Sequence, residues 1–339
     1  MIVLAEKQIQ ELFQILDDSS LFLQEKLDLS YIDSLIESLD IIQNVNDIEG
    51  IEGLSAQDFE NFTSKMKSFD LQNLSAEDAR KTIQMAMLKA IKQDNLQANY
   101  QITPDTIAGL FSYLISGLSK KDEEISLLDP AVGSGNLLAS VVNYLREAGK
   151  VVVATGLEND DALADLASLN FELQRSEVNL YHEDTIQDVV AGNVDYVISD
   201  LPVGYYPIDD NVVQFKTKAQ KGGHSYLHHL LIEFGMEHVN PGGFGLFLIP
   251  SNIFKDKESK ALLEWVKESV YLQGILNLPA ELFQNKAAAK SILVLQKPGK
   301  GAKQVSQVML GEFPSFKDPA AMKRFLTEID DWELKNLNN

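Results

Sequence analysis

The sequence predicts an α/β fold, a doubly wound and mostly parallel sheet preceded by an all-helical region. Three observations carry this expectation. Beyond about residue 100, short apolar runs alternate with amphipathic helical stretches, as when crossover helices join parallel strands. Before residue 98, apolar residues recur at spacings of three and four. A glycine turn, Gly133-Ser134-Gly135, directly follows the first candidate strand and opens a helix. A chain of 339 residues has room for about two domains.

The helical region shows its period in Ile9, Leu12, Phe13 and Leu16, and again in Ile32, Leu35, Ile36 and Leu39. Ser55 and Ser75 each stand three residues before an acid, Asp58 and Asp78, which reads as two capped helix starts. The polar stretch 93–99 makes a boundary. The expected division is a helical domain over 1–98, an α/β domain over 99–300, and a partly helical tail over 301–339.

In the α/β part the candidate strands are 125–129, 151–158, 178–183, 194–200, 244–250, 271–278 and 291–296. Helical stretches at 136–148, 161–175, 226–239 and 258–269 fill most of the gaps. The connection 279–290 is too short for a crossover helix, so the last two strands are expected to pair antiparallel. In the tail, 297–303 reads as a loop and 319–339 as a helix fraying into a polar end.

Composition excludes several classes. No run approaches the roughly 18 apolar residues of a membrane helix, and Glu6, Lys7 and Glu11 interrupt any signal-peptide core. With no cysteine there are no disulfides, thiolate metal sites or cysteine nucleophile, which fits a cytoplasmic protein. A net charge of −21 disfavours a protein that coats nucleic acid, since neutralising phosphates takes Lys and Arg.

The chemistry concentrates at strand ends. In the glycine loop, Leu138 stands where a dinucleotide fold wants its third glycine, and the Lys-Ser/Thr of a P-loop is absent. Asp129 at the strand end repels phosphate and suits a cationic ligand. A plain strand-to-helix turn is the alternative for the glycines alone. The whole string Asp129-Pro130-Ala131-Val132-Gly133-Ser134-Gly135 resembles the first motif of class I S-adenosylmethionine-dependent methyltransferases. It most resembles amino-methylating DNA methyltransferases, the modification subunits of type I restriction systems and the stand-alone YtxK-like family. The likeness covers about residues 100–298 and implies a Rossmann-like, seven-stranded sheet with one antiparallel strand. It also implies S-adenosylmethionine as cofactor, with Glu158 on the ribose hydroxyls and Asp184 on the adenine. Asn159 and Thr185 lie beside these acids. Thr103-Pro104 resembles the Thr-Pro motif that precedes the glycine loop in these subunits; its alternative is a helix start with Thr103 as cap.

The fourth strand ends in Asp200-Leu201-Pro202-Val203-Gly204-Tyr205-Tyr206, which aligns with the family's Asn/Asp-Pro-Pro-aromatic motif. The resemblance implies that Asp200, at the edge of the cofactor site, and the carbonyl of Leu201 accept the two hydrogens of an exocyclic amine, with Pro202 shaping the turn. Leu201 replaces the first proline and Val203 replaces the aromatic that stacks on a flipped base. Tyr205 or Tyr206 would have to take that place. The expected function is methylation of adenine N6 in DNA; the alternatives are RNA, protein or a small molecule, or an inactive S-adenosylmethionine-binding module. His228 and His229 read as packing groups, and five histidines without cysteine give no expectation of a metal.

The acidic surplus lies mostly in residues 1–210, whereas 211–303 is net basic and contains no arginine. Its lysines include Lys216, Lys218, Lys221, Lys255, Lys257, Lys260, Lys286 and Lys290. DNA is therefore expected as a weakly held substrate, with a protein partner supplying target recognition and no membrane involved.

Overall fold

The computed structural model describes residues 2–119, 124–187, 189, 191–220, 222–255, 259–283 and 288–337. Lys221, Lys257 and Lys286 of the basic stretch lie outside these residues. Four helices come first: α1 (Ile2–Leu27), α2 (Tyr31–Asn44), α3 (Ala56–Ser68) and α4 (Ala76–Gln93). Ser55 and Ser75 cap α3 and α4 as the sequence indicates, their hydroxyls accepting from the N–H groups of Asp58 and Asp78 at 3.1 Å. Ser30 caps α2 in the same way. Each cap satisfies an N–H that the first turn leaves open.

Helix α5 (Asp105–Leu118) leads into β1 (Ile125–Asp129), α6 (Asn136–Glu147), β2 (Val152–Glu158), α7 (Asp161–Leu173), β3 (Val178–His182) and β4 (Val194–Asp200). There follow α8 (Leu227–Glu237), β5 (Val239–Pro250), α9 (Ser259–Ser269), β6 (Tyr271–Asn277), β7 (Lys290–Gln296), β8 (Met309–Glu312) and α10 (Pro319–Asn336). The strands form one sheet in the order β3-β2-β1-β4-β5-β7-β6-β8. All pairings are parallel except those of β7, which runs antiparallel to both β5 and β6.

The sheet holds eight strands rather than the expected seven. β8 comes from the stretch between the expected loop and the expected tail helix, and pairs parallel to β6. A four-residue strand with Gly311 in its middle is too short to show alternation, and Leu310 points out to solvent at the sheet edge. β5 also starts five residues early, at Val239, because Pro241-Gly242-Gly243 interrupts the apolar run that marks a strand.

Side chains on the central strands alternate between two buried faces. Ile198, Leu246, Leu248 and Ile292 meet α5 and α6, while Val197, Phe247, Ile249 and Leu293 meet α8 and α9. Burial on both faces is why these strands read as unbroken apolar runs. The four N-terminal helices share a third core, built on Leu12, Leu16, Tyr31, Leu35 and Met87. It takes in Leu166, Leu169 and Leu173 of α7. Each such side chain buried is worth about 1.5–3 kcal/mol, so these leucines fasten the helical layer to the sheet layer. Among the described residues no helix is long and apolar enough to cross a membrane.

The strand order reverses between β1 and β4. In open α/β sheets ligands bind at such a switch point, outside the carboxyl ends of the strands.

Candidate functional site

A cleft of about 660 Å³ opens at the carboxyl ends of β1, β2 and β4. Its walls include Thr103, Asp129, Pro130, Ala131, Gly133, Ser134, Glu158, Asn159, Asp184, Thr185, Asp200, Leu201, Pro202, Tyr205 and Tyr206. Pro104 and Gly135 stand behind this wall. Pro104 occupies the N-cap position of α5 and Gly135 that of α6.

The glycine turn is shaped by two different demands. Gly133 has φ 57° and no protein atom within 4 Å of where a Cβ would sit, so a side chain there would project into open space. Gly135 has φ 78°, and a Cβ would lie 2.8 Å from the Phe171 ring and 3.3 Å from the Ala167 backbone. Gly135 therefore serves the packing of the loop on α7. Replacing it with alanine is expected to cost about 2–4 kcal/mol, the left-handed backbone penalty plus the overpacking term. Urea denaturation of Gly135→Ala tests this; a loss below 1 kcal/mol would show that α7 yields without strain.

The acids at the strand ends are held by the main chain. Asp129 is fully buried, and its Oδ1 accepts from the Ala131 N–H at 3.1 Å and the Ser199 hydroxyl at 2.7 Å. Burial pushes its pKa up to about 7, against the lowering effect of those two bonds. Glu158 accepts from Gly133 N–H at 2.7 Å and from the N–H groups of Asn159 and Asp160 at 2.9 and 3.0 Å. It thereby ties the glycine turn to the end of β2, and burial again raises its pKa. Asp184 accepts from the Ile186 N–H at 3.0 Å and from the Tyr206 hydroxyl at 2.6 Å. Thr185 donates to the Pro130 carbonyl at 2.6 Å and pins the loop after β3 against the glycine turn.

The two tyrosines separate. Tyr206 is buried, bound to Asp184, and receives a bond from Asn211 at 2.8 Å. Burial and then the Asp184 bond push its pKa up to about 12. Tyr205 is 53% exposed at the cleft mouth and stacks on Tyr226, ring centroids 4.6 Å apart. Val203, at the position of the lost aromatic, is 62% exposed. His228 and His229 pack against Tyr226, and burial lowers the pKa of His229 to about 3, so it stays neutral.

Asp200 ends β4 with both oxygens engaged. The Thr103 hydroxyl donates to Oδ2 at 2.9 Å, and the Lys290 ammonium donates to Oδ1 at 2.5 Å. Thr103 does not cap α5; its carbonyl instead accepts from Asn136 of α6 at 2.7 Å. Sequence reasoning missed two members of this network, Lys290 and Asn136, and a third residue nearby, Tyr100. Lys290 stands in the sequence as part of the basic stretch and immediately before the last expected strand. Asn136 is the first helical residue behind the glycine turn, and its spacing from Thr103 carries no signal. Tyr100, whose hydroxyl donates to Asp160 at 3.0 Å, stands three residues before Thr103 with nothing local to mark the contact.

Five carboxylates, Asp129, Glu158, Asp160, Asp184 and Asp200, line the cleft, with Lys290 the only cation among its described lining residues. That donor set fits a ligand with a cationic end and hydroxyls, and a Cβ at Gly133 would intrude on it. Among the described residues no group of three or more His, Cys, Asp or Glu is placed to hold a metal ion.

Comparison with known proteins gives the family. The N-6 DNA methylase family model matches residues 54–328, and the YtxK N-terminal helical domain matches residues 10–91. The chain belongs to the N-6 DNA methylase family, and its cofactor is S-adenosylmethionine. The uncharacterized protein YtxK of Bacillus subtilis is 35% identical over 94% of this chain and 96% of its own. A Listeria monocytogenes crystal structure, assigned to the class I S-adenosylmethionine-dependent methyltransferases, is 37% identical with a TM-score of 0.87, covering 96% of this chain and 99% of that one. The MjaVII type I restriction methylase subunit of Methanocaldococcus jannaschii is 24% identical over 54% of this chain, and the match spans 34% of that subunit's length.

Proposed function

We propose that the protein methylates the exocyclic N6 amine of adenine in DNA. The observation that carries this reading is the placement of Asp200 and Leu201 at the end of β4, in the cleft lined by Asp129, Gly133 and Glu158. Bound S-adenosylmethionine supplies an electrophilic methyl group. Asp129 takes its ammonium, and Glu158 its ribose hydroxyls, through the lone pairs that its three backbone bonds leave open. Asp184 meets the adenine, and the main chain of the glycine turn approaches closely where Gly133 leaves room.

Asp200 accepts one hydrogen of the target amine and the Leu201 carbonyl accepts the other. Together they hold the nitrogen lone pair in line for transfer and stabilise the charge it gains. Asp200 is also the first acceptor for the proton the methylated amine releases. No stronger base is needed when that proton leaves after attack.

Tyr205 supplies the stacking surface for the extruded base. Tyr205→Ala is expected to weaken binding of a DNA strand by about 1–3 kcal/mol, measured by fluorescence anisotropy, with cofactor affinity unchanged. Equal binding by the variant and its parent would move the base platform elsewhere. The chain spans about a third of the type I methylase subunit it matches, so a protein partner supplies sequence recognition in this reading. Transfer of labelled methyl to DNA, RNA and cell protein tests the function. Label in DNA as N6-methyladenine supports it; label only in RNA or protein overturns it.

A further inference from the structure

The most unusual contact in the cleft is the one between Lys290 and Asp200. The amine acceptor is already occupied by an amine. Lys290 is the first residue of β7, and its main chain is fixed by pairing opposite Pro250 and by the bond from the Leu278 N–H to its carbonyl at 3.1 Å. Its four-carbon side chain reaches over to Asp200 and stays 28% exposed. The second oxygen of Asp200 is held by Thr103.

This pairing opposes amine transfer in two ways. The ammonium takes a lone pair of the carboxylate and withdraws the electron density the target amine needs. It also stands beside a nitrogen that becomes positive as it attacks, where a second cation is unfavourable. Lys290 therefore has to leave Asp200 before transfer. A lysine head is a compact charge on a flexible stem and readily exchanges one anion for another. Among the described residues lining the cleft it is also the only cation that can meet an anionic substrate.

We propose that Lys290 is a specificity-determining residue that exchanges between Asp200 and a phosphate carried by the substrate. Without a phosphate, Lys290 masks Asp200; with one, Lys290 swings to it and exposes the amine acceptor. The site then takes an adenine that carries a phosphate and rejects the same base as a neutral nucleoside. This rests on the amine-transfer reading above and adds the requirement for an anion.

Binding tests it without needing turnover. The full chain, loaded with S-adenosylhomocysteine, is titrated calorimetrically with 2′-deoxyadenosine and with its 5′-monophosphate. The monophosphate is expected to bind about tenfold more tightly or better. Lys290→Arg keeps the preference because it keeps the charge, whereas Lys290→Met removes it and binds the nucleoside more tightly than the parent does. A short single-stranded oligonucleotide separates the two sources of phosphate. Tighter binding than the monophosphate assigns the anion to a strand, and equal binding assigns it to a free nucleotide; either result upholds the exchange. Equal affinity of the parent for nucleoside and monophosphate, or a preference that survives Lys290→Met, overturns it. Binding of neither probe overturns it too. The amine-transfer reading fails by a different result, the absence of label in DNA.

Discussion

Asp200→Ala is expected to lower methyl transfer by about two to three orders of magnitude, the usual cost of removing one group that meets charge developing in a transition state. Cofactor affinity, measured by calorimetry, should fall far less, because the carboxylates at the ends of β1 and β2 remain. The alanine variant also leaves the Lys290 ammonium and the Thr103 hydroxyl without their shared partner, so part of its loss is structural. Asp200→Asn separates the two effects. Its amide oxygen can still accept from a target amine while its NH2 donates to the Thr103 hydroxyl in place of the bond that the carboxylate receives, and the resemblance allows asparagine at this position. Transfer by Asp200→Asn is expected to stay within about tenfold of the parent, consistent with weakening rather than removing a charged acceptor. A variant that binds cofactor, keeps its fold and transfers methyl at the parental rate with alanine at 200 would remove Asp200 from the chemistry.

The sheet was legible because its strands carry the signal that burial on both faces produces, and because each acid at a strand end stands next to an apolar run. β1, β4 and the glycine turn could be placed to within a residue from Leu127-Leu128-Asp129 and Val197-Ile198-Ser199-Asp200. β8 was not legible, since its pairing with β6 is long-range and its four residues hold a glycine and an outward leucine. The candidate site divides along the same line. Residues that end strands could be found from sequence, whereas their partners could not. Ser199 reaches Asp129 across 70 positions, Thr103 reaches Asp200 across 97 and Lys290 reaches it across 90. Nothing local marks such contacts. They arise from the order of the strands, which brings β7 next to β5 and its first residue over the end of β4. The tyrosine pair shows the same limit: adjacent residues on one loop have opposite burial, because Tyr206 turns to Asp184 and Tyr205 to Tyr226.

The net charge of −21 gains a local meaning from these contacts. Part of the surplus sits inside the cleft as buried or half-buried carboxylates, which the proposed binding of a cationic cofactor would offset. The cost of that arrangement in the free protein should be visible in its stability. Asp129→Asn is expected to stabilise the cofactor-free protein at pH 8 by about 4 kcal/mol, from a pKa of about 7 in the fold against 3.8 in the unfolded chain, at about 1.4 kcal/mol per unit. The sign follows from proton binding. Between the two pKa values the folded state holds a proton that the unfolded state has lost. Stability from this group therefore falls as pH rises from about 4 to about 7, and is level above that. The asparagine variant lacks this decline, and its amide oxygen keeps the bonds from Ala131 and Ser199. Glu158 and Glu333 shift in the same direction, so the parent's own pH profile mixes several groups, and the difference between parent and variant isolates Asp129. Urea denaturation at pH 5 and pH 8 measures it. A difference that does not grow between these values would place the Asp129 carboxyl in the ordinary range. The same substitution should weaken binding of the cationic cofactor if, as proposed, the carboxylate that destabilises the cofactor-free cleft is the one that takes the ligand's ammonium. Stability gained and affinity lost in one variant would tie that buried charge to the binding site.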